Sequence, residues 1–333
     1  MRSVVSFLQD CRLGKKQVHR NLTVFPVLFP DVRKPYYLTL EQAIDTGALV
    51  VTEVDAAGSV GRLRLRNHAR QPILLVEGEE LKGARQNRIV NASLLIAAKT
   101  ETTILVSCVE ERRWRADSEH FFSGKKVMHA SLRRDAQRGL HENLSRGGGQ
   151  RSDQVAIWAN IAEKSRRMQV HSPTMAMSDV FDTCADRLSD YSGCFHRIEQ
   201  QVGALFVIDG RVTGLECFGC GDTFGRFFDK LIASYALDAI ESYHPEAASS
   251  VVRPGRARAF VESLKKAKGR RYDAVSLGAT ITFVSRVAAG TALADGATVL
   301  HLSAFRKEAG SGGHRAGFQR FSSRRAGQTG HRD

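Results

Sequence analysis

The chain has 333 residues, of which 42% are hydrophobic and 25% charged, and its formal net charge is +14. This composition excludes a wholly disordered chain, because there is enough apolar material for a core, and 29 Gly and 7 Pro are too few for a collagen-like one. The length predicts one large domain or two of ordinary size.

Residues 15–114 are predicted to form a β-rich half that carries the main polar motif. Short apolar runs recur at roughly ten-residue spacing, which is typical of an antiparallel meander folded as a sandwich or barrel. The run at 61–66 alternates strictly, with Leu63 and Leu65 on one face. Pro26 interrupts the first run and suggests an edge strand or a bulge.

The rest of the chain mixes helices and strands. Residues 115–153 are expected to be a basic, partly flexible connection with some helix, and 154–305 an α+β half packed on the first. Within that half, 154–167 fits a helix with Val155 and Ile161 on its apolar face, and Asp209-Gly210 predicts a tight hairpin. Residues 306–333 are expected to be a disordered basic tail. The predicted fold class is therefore α+β.

The positive charge is regional rather than general. Residues 112–171 hold 13 basic and 6 acidic residues, 253–272 hold 8 and 1, and 306–333 hold 7 and 2. Basic clusters can attract phosphate-bearing partners, including nucleic acid, although solvated helix faces and a tail without function would look the same. No motif typical of nucleic-acid binding accompanies the charge, so that partner is the weaker alternative.

The densest polar segment is 77–88, which lies between two apolar strands. It offers three carboxylates for acid/base work, Glu77, Glu79 and Glu80. It also offers groups that could hold phosphates or orient a ligand, namely Lys82, Arg85, Gln86, Asn87 and Arg88. The alternative interpretation is a network of salt bridges that ties the loop to its own sheet.

A second segment, 107–114, closes the β-rich half. Glu110 follows a strand end, where polar side chains converge, and joins the predicted catalytic set. Trp114 is predicted to complete the pocket by stacking a base. Cys108 could be a nucleophile if a cation lowered its pKa, but a buried small residue is the favoured interpretation.

Metal and cofactor signals are weak. Cys217 and Cys220 form a C-x-x-C pair, which is only half of a zinc site, and no histidine pair has metal-binding spacing. No metal is predicted and the cofactor is unknown. The chain also lacks an apolar run of signal-peptide or bilayer length, so a cytoplasmic protein with reduced thiols and no membrane partner is expected.

The segments 72–89 and 106–114 together resemble the ARG and Rhodanese-Phosphatase-superfamily-associated Protein domain. The later runs 214–219, 227–231 and 301–305 are similar to the same family, so the resemblance spans about 15–305. The family is named for its association with ADP-ribosyl glycohydrolases, rhodaneses and phosphatases. The resemblance therefore implies a link to NAD or ADP-ribose metabolism, without a defined catalytic residue.

The leading hypothesis is a protein that binds or processes a phosphate-bearing nucleotide derivative, such as an ADP-ribose-like molecule. Whether it is an enzyme is left open, because a non-catalytic binding or interaction module fits the same residues. Nucleic-acid binding through the basic clusters is the weaker alternative. The oligomeric state is unknown.

Overall fold

The computed structural model describes residues 1–30, 34–55, 61–115, 117–246 and 253–307. Its helices in those ranges are α1 Arg2–Asp10, α2 Leu40–Asp45, α3 Ala130–Ser145, α4 Gln154–Arg167, α5 Met177–Thr183, α6 Ala185–Ser192, α7 Gly221–Ser242 and α8 Pro254–Lys265. The first strands are β1 Arg12–Leu13, β2 Gln17–His19, β3 Leu22–Leu28, β4 Leu38–Thr39, β5 Leu49–Glu53, β6 Arg62–Asn67, β7 Ile73–Leu75, β8 Glu79–Gly83 and β9 Arg88–Val90. The later strands are β10 Leu94–Ile96, β11 Glu101–Cys108, β12 Phe121–Val127, β13 Gln201–Ile208, β14 Arg211–Phe218, β15 Lys268–Asp273, β16 Ala279–Val284, β17 Ala288–Asp295 and β18 Thr298–Arg306.

A large antiparallel sheet forms the centre of the molecule, in the order β1-β3-β13-β14-β18-β17-β16-β15, with β2 beside β3. Side chains alternate across it: Phe206 packs with α3 and α7 on one face, and Leu205 packs with α1 and α8 on the other. The predicted hairpin is confirmed, because Asp209 and Gly210 both have positive φ between β13 and β14. Helical layers therefore cover opposite faces of this sheet.

A smaller β region holds the polar segment. It consists of a six-stranded sheet, β12-β8-β9-β11-β6-β5, and a three-stranded one, β10-β7-β4. The two sheets enclose a separate core to which Leu63 and Leu65 contribute, as the alternation predicted. Residues 88–97 form two strands that pair with different neighbours, β9 with β11 and β10 with β7. The α+β fold class is confirmed.

Of the edge strand or bulge expected at Pro26, the edge is wrong, because β3 lies between β13 and the pair β1 and β2. The pairing of β3 with β13 is irregular next to Pro26, where Leu28 pairs with Gln201 and Val27 with Gly203.

The apolar face predicted for α4 was wrong at Val155. The inner face of α4 is Ile157, Ile161 and Lys164, whereas Val155 is 73% exposed. With α4 turned this way, Lys164 is buried and forms ion pairs with Asp238 and Glu241 of α7.

The domain division at residue 114 stays a prediction. In the structure, β3 from the first part pairs with β13 from the second, and 115–153 contains β12 and α3. Strand β18 includes Arg306, while residues 308–333 of the predicted tail lie outside the described residues. No helix in the described ranges has both the length and the apolar character that a bilayer crossing requires.

Candidate functional site

The predicted site residues lie mostly inside the molecule. The buried ones are Glu77, Glu79, Glu80, Gln86, Asn87, Arg88 and Glu110. Lys82 and Arg85 are half-buried, and Trp114 is 44% exposed. Strands β8 and β9 form a short hairpin whose turn begins at Gly83 and Ala84, both with positive φ.

Glu77 belongs to a buried network between the two β regions. Its carboxylate accepts hydrogen bonds from Thr291 Oγ1 at 2.8 Å, Ser303 Oγ at 2.5 Å and Gln137 Nε2 at 3.3 Å. Arg133 of α3 lies 3.5 Å from the same carboxylate. Glu77 therefore stabilises the contact of its loop with the large sheet.

Arg133 is the centre of this network. Its guanidinium donates two hydrogen bonds to Glu216, at 2.7 and 3.0 Å, and lies 5.4 Å from the ring of Phe305. Tyr235 donates to Glu216 as well, and His301 lies 3.5 Å from it. Burial would raise the pKa of Glu216, but Arg133 and His301 hold it below its usual range.

Sequence reasoning missed Arg133 and Gln137, although a local signal was available. Leu132, Ala136 and Leu140 are spaced as the apolar stripe of a helix, and all three are buried. Arg133 and Gln137 are four residues apart, so they lie on one face of α3 next to this stripe, and both are buried. The partners on β14 and β18 come from distant strands that no local pattern connects to α3.

Glu79 and Glu80 point to different surroundings on β8. Glu79 accepts a hydrogen bond from the Val76 N–H at 2.7 Å and lies 3.9 Å from Lys230 Nζ. Neither oxygen of Glu80 accepts a hydrogen bond from the described residues, and Gly124 of β12 packs against its carboxylate. Burial raises the pKa of each carboxyl to about 7, although Lys230 opposes the shift at Glu79 and lysines 82 and 126 oppose it at Glu80.

Arg88 gathers a group of predicted residues. Its guanidinium donates to Gln86 Oε1 at 2.9 Å and contacts the Cys108 sulfur. The guanidinium carbons of Arg85 and Arg88 lie 5.7 and 5.9 Å from the ring of Trp114. Burial raises the pKa of Cys108 to about 11, despite the opposing effect of Arg88, so its thiol is protonated at neutral pH and is not an activated nucleophile.

Glu110 and Asn87 form another group. Glu110 accepts the Asn87 N–H at 3.1 Å and pairs with Arg113 at 2.7 Å. Arg113 continues to Asp117 at 3.0 Å. The segment is thus divided among several internal networks of the described residues, an arrangement that favours the salt-bridge interpretation of the segment.

No metal centre is evident in the described ranges, where no group of three His, Cys, Asp or Glu is placed to hold an ion. Cys217 is buried in the core on one face of the large sheet. Cys220 precedes α7 and lies 3.1 Å from Thr223 Oγ1. The two thiols of the C-x-x-C pair therefore belong to different surroundings.

A cleft of about 1610 Å³ opens at one end of the large sheet. The β13–β14 turn lies in it, and the neighbouring strand β18 ends there, because Gly214 pairs with Phe305. The β16–β17 turn reaches the same place, because Ala288 pairs with Arg306. Strand topology thus places residues far apart in sequence in one concave surface.

One side of this cleft is basic. Its cations come from the start of β14, from α8, from the β16–β17 turn and from the end of β18. They are Arg211, Arg256, Arg286, Arg306 and Lys307. All five are exposed, and none has a carboxylate of the described residues within 4.0 Å. Arg256, Arg306 and Lys307 belong to the basic clusters seen in the sequence, whereas Arg211 and Arg286 carried no local signal.

The other side is acidic but internally compensated. Its carboxylates come from α3, α4, α7 and the β13–β14 turn, and are Asp135, Glu163, Asp209, Asp238 and Glu241. Lys164 pairs with Asp238 and Glu241 of α7, and Arg167 pairs with Glu163 and Glu241. The two sides therefore differ in net charge. They also differ in ion pairing, because carboxylates of the acidic side are paired with Lys164 and Arg167, whereas the five cations have no carboxylate partner among the described residues.

Ser131, His129 and Asp238 meet at the acidic side, but they do not form a catalytic triad. Ser131 Oγ donates directly to Asp238 at 2.8 Å, and the Leu132 N–H donates to His129 Nδ1 at 3.3 Å. The same nitrogen faces Ser131 and Asp238, so no relay runs through the ring. Burial, with Lys164, lowers the pKa of His129, and the neutral ring caps α3.

A sequence model of the ARG and Rhodanese-Phosphatase-superfamily-associated Protein domain matches residues 10–305. The chain belongs to this family. The resemblance predicted from 72–114 and the later segments is thereby confirmed. No curated protein and no solved structure matches the chain.

The family match covers the 77–88 segment completely but the lining of the cleft only in part. The match includes all ten predicted site residues and the Arg133 network. It ends at Phe305, so Arg306 and Lys307 of the basic side lie just beyond it. The buried network is therefore within the part of the chain shared with the ARG and Rhodanese-Phosphatase-superfamily-associated Protein domain, and the cleft is partly outside it.

Proposed function

We propose that the protein binds a phosphate-bearing nucleotide derivative whose phosphates lie against the basic side of the cleft. The observation that carries this proposal is a set of five cations in one concave surface, none of which pairs with a carboxylate of the described residues. Arginine guanidinium groups bind phosphate oxygens through two parallel hydrogen bonds, and a phosphate would supply the charge that the local structure does not.

The remaining lining suits a nucleotide. Ile208, Val212 and Phe260 contribute apolar surface next to the cations, where a base or a sugar face could pack. The volume of about 1610 Å³ exceeds the roughly 300–1,000 Å³ of common ligand pockets. A single nucleotide would therefore occupy only part of the cleft, next to the cations.

A non-catalytic binding module is the second candidate function. One observation favours it: the groups in the cleft that could act as acid, base or nucleophile are held by other residues. Burial would raise the pKa of the Asp238 carboxyl, but its ion pair with Lys164 holds that pKa below the usual range, and Ser131 Oγ donates a hydrogen bond to it. Binding without turnover is the expected behaviour of such a site.

Calorimetric titration with ADP-ribose tests the proposal and its location. We expect the Arg256→Ala/Arg306→Ala variant to bind at least tenfold more weakly than the unaltered protein, because each charge-assisted hydrogen bond contributes about 1.5–3 kcal/mol. Arg85→Ala is the matched control in the 77–88 segment and should bind with unchanged affinity. Circular dichroism checks that both variants are folded.

The opposite pattern would place the ligand elsewhere. Loss of binding in Arg85→Ala, with unchanged binding in the cleft variant, would return the site to Trp114 and the 77–88 segment. Tighter binding of single-stranded DNA than of ADP-ribose, with a steep salt dependence, would favour the nucleic-acid alternative. ADP-ribose that binds and is then converted would exclude the non-catalytic module.

A further inference from the structure

Strand β15 leaves one edge of the large sheet open. It is the last strand in the order of that sheet, and β16 is the only described strand that pairs with it. Among the described residues, no backbone hydrogen bond from a turn, a loop or another element reaches residues 268–273 on the other side. Four consecutive residues, from Lys268 to Arg271, are exposed. Their outward N–H and C=O groups can therefore pair with a further strand.

Packing on both faces holds this strand in place. The ring of Tyr272 packs on a small apolar cluster near the end of α3. Gly269 lies on the opposite face, because side chains alternate along a strand, and the Met1 side chain packs closely against it. Just after β15, the Leu277 N–H donates to the Leu95 carbonyl of β10 at 3.0 Å. The edge is therefore ordered before a partner arrives, which lowers the cost of binding.

The open edge is strongly basic. Lys268 and Arg270 lie on one face of β15, and Arg271 lies on the other. None of these three cations has a carboxylate of the described residues within 4.0 Å. Asp273, at the end of the strand, is its one acidic residue. Tyr272 is the one aromatic residue of β15, and its ring is packed against the α3 cluster, so the strand offers a nucleic-acid base no ring to stack on.

We propose that β15 binds an acidic segment of a partner protein, which adds to the sheet as a further extended strand. Backbone pairing would supply affinity, and side chains at alternate positions would supply specificity. Carboxylates two residues apart in the added segment share a face, where they can pair with Lys268 and Arg270. A second copy of β15 would instead place like charges opposite each other, which disfavours self-pairing.

This edge is separate from the cleft and involves a different part of the basic cluster at 253–272. Of that cluster, Arg256 lines the cleft, whereas no residue of β15 does. Peptide binding at β15 and ADP-ribose binding in the cleft are measured independently, so either proposal can fail without the other.

Fluorescence anisotropy with two labelled hexapeptides tests the charge requirement. We expect the sequence Thr-Glu-Thr-Glu-Thr-Glu to bind the full chain at least tenfold more tightly than Thr-Gln-Thr-Gln-Thr-Gln, because opposite charges on neighbouring strands attract. In Lys268→Glu/Arg270→Glu this preference should disappear. Arg253→Glu/Arg258→Glu is the matched control, since it changes the net charge equally at two exposed positions near the start of α8, and should keep the preference. Circular dichroism checks that both variants are folded.

Hydrogen–deuterium exchange tests the backbone pairing. The acidic peptide should slow amide exchange within 268–273, because it occupies N–H groups that face outward. Binding without such protection, or a preference that survives in Lys268→Glu/Arg270→Glu, would overturn the proposal. Equal binding of the two peptides, or no binding of either, would overturn it too and would mean that the charges only keep sheet edges apart. Tighter binding of a single-stranded oligonucleotide, lost in the same variant, would assign β15 to nucleic acid instead.

Discussion

The 77–88 segment and the cleft both combine acids with bases, but they do so in opposite ways. In the segment, the charges are close in sequence and separate inside the molecule: Glu77 joins Arg133, Glu79 approaches Lys230, and Arg88 lies near Glu53 of β5. In the cleft, the charges are far apart in sequence and meet in space. The dense run of polar residues in the sequence thus belongs to a segment whose charges take part in buried ion pairs and hydrogen bonds. The open charged surface of the cleft arises instead from strand topology.

The largest expected effect concerns the buried network. Arg133→Ala should lower the free energy of unfolding by about 3–5 kcal/mol, because it leaves the fully buried Glu216 without its main partner. Arg138→Ala, on the same helix but with a side chain 60% exposed, is the control and should change stability by less than about 0.5 kcal/mol. Urea unfolding measures both, and similar values would show that the network is not structural.

The pH dependence of stability tests the buried carboxyls. The folded protein keeps Glu80 protonated up to its pKa of about 7, against 4.5 for an unperturbed glutamate, so the unfolded state releases the proton first. Stability therefore falls as pH rises from about 4.5 to 7. Glu80→Gln should gain about 3 kcal/mol of stability relative to the unaltered protein as the pH rises from about 4 to 7.

Unfolding curves at several pH values measure this difference. Glu142→Gln, an exposed position on α3, is the control and should follow the unaltered protein at every pH. Glu79 has the same raised pKa of about 7, so some pH dependence should remain in Glu80→Gln. A stability difference that is independent of pH would contradict the burial of an ionisable Glu80.

The stabilisation that a bound ligand gives can distinguish the cleft from the 77–88 segment as the binding site. ADP-ribose at about a hundred times its Kd should stabilise the protein by about 2.7 kcal/mol, because it binds only the folded state. At the same ligand concentration this gain should fall to about 1.4 kcal/mol or less in Arg256→Ala/Arg306→Ala, and it should persist in Arg85→Ala. Thermal unfolding with and without the ligand measures it, and equal protection of both variants would refute the assignment to the cleft.

The smallest expected effect is on the cleft without ligand. Arg256→Ala/Arg306→Ala should change the free energy of unfolding by less than about 0.5 kcal/mol, since both side chains are exposed and unpaired with the described carboxylates. Urea unfolding of the free protein measures this. A large loss of stability would mean that these arginines stabilise the fold. The cleft would then resemble the 77–88 segment in being structural.

The sequence by itself determined the class of fold, the family and the local elements. Alternation at Leu63 and Leu65, the Asp209-Gly210 turn and the helical spacing in α3 depend on neighbours along the chain, so their periodicity is visible there. Tertiary structure decided which charges meet. The pairing of Ala288 with Arg306 and of Gly214 with Phe305 brings separate segments to one end of the sheet, and the packing of α3 buries Arg133 against β14. Such contacts depend on strand order and helix packing, and Arg133 and Glu216 are 83 residues apart, a separation over which no local pattern acts.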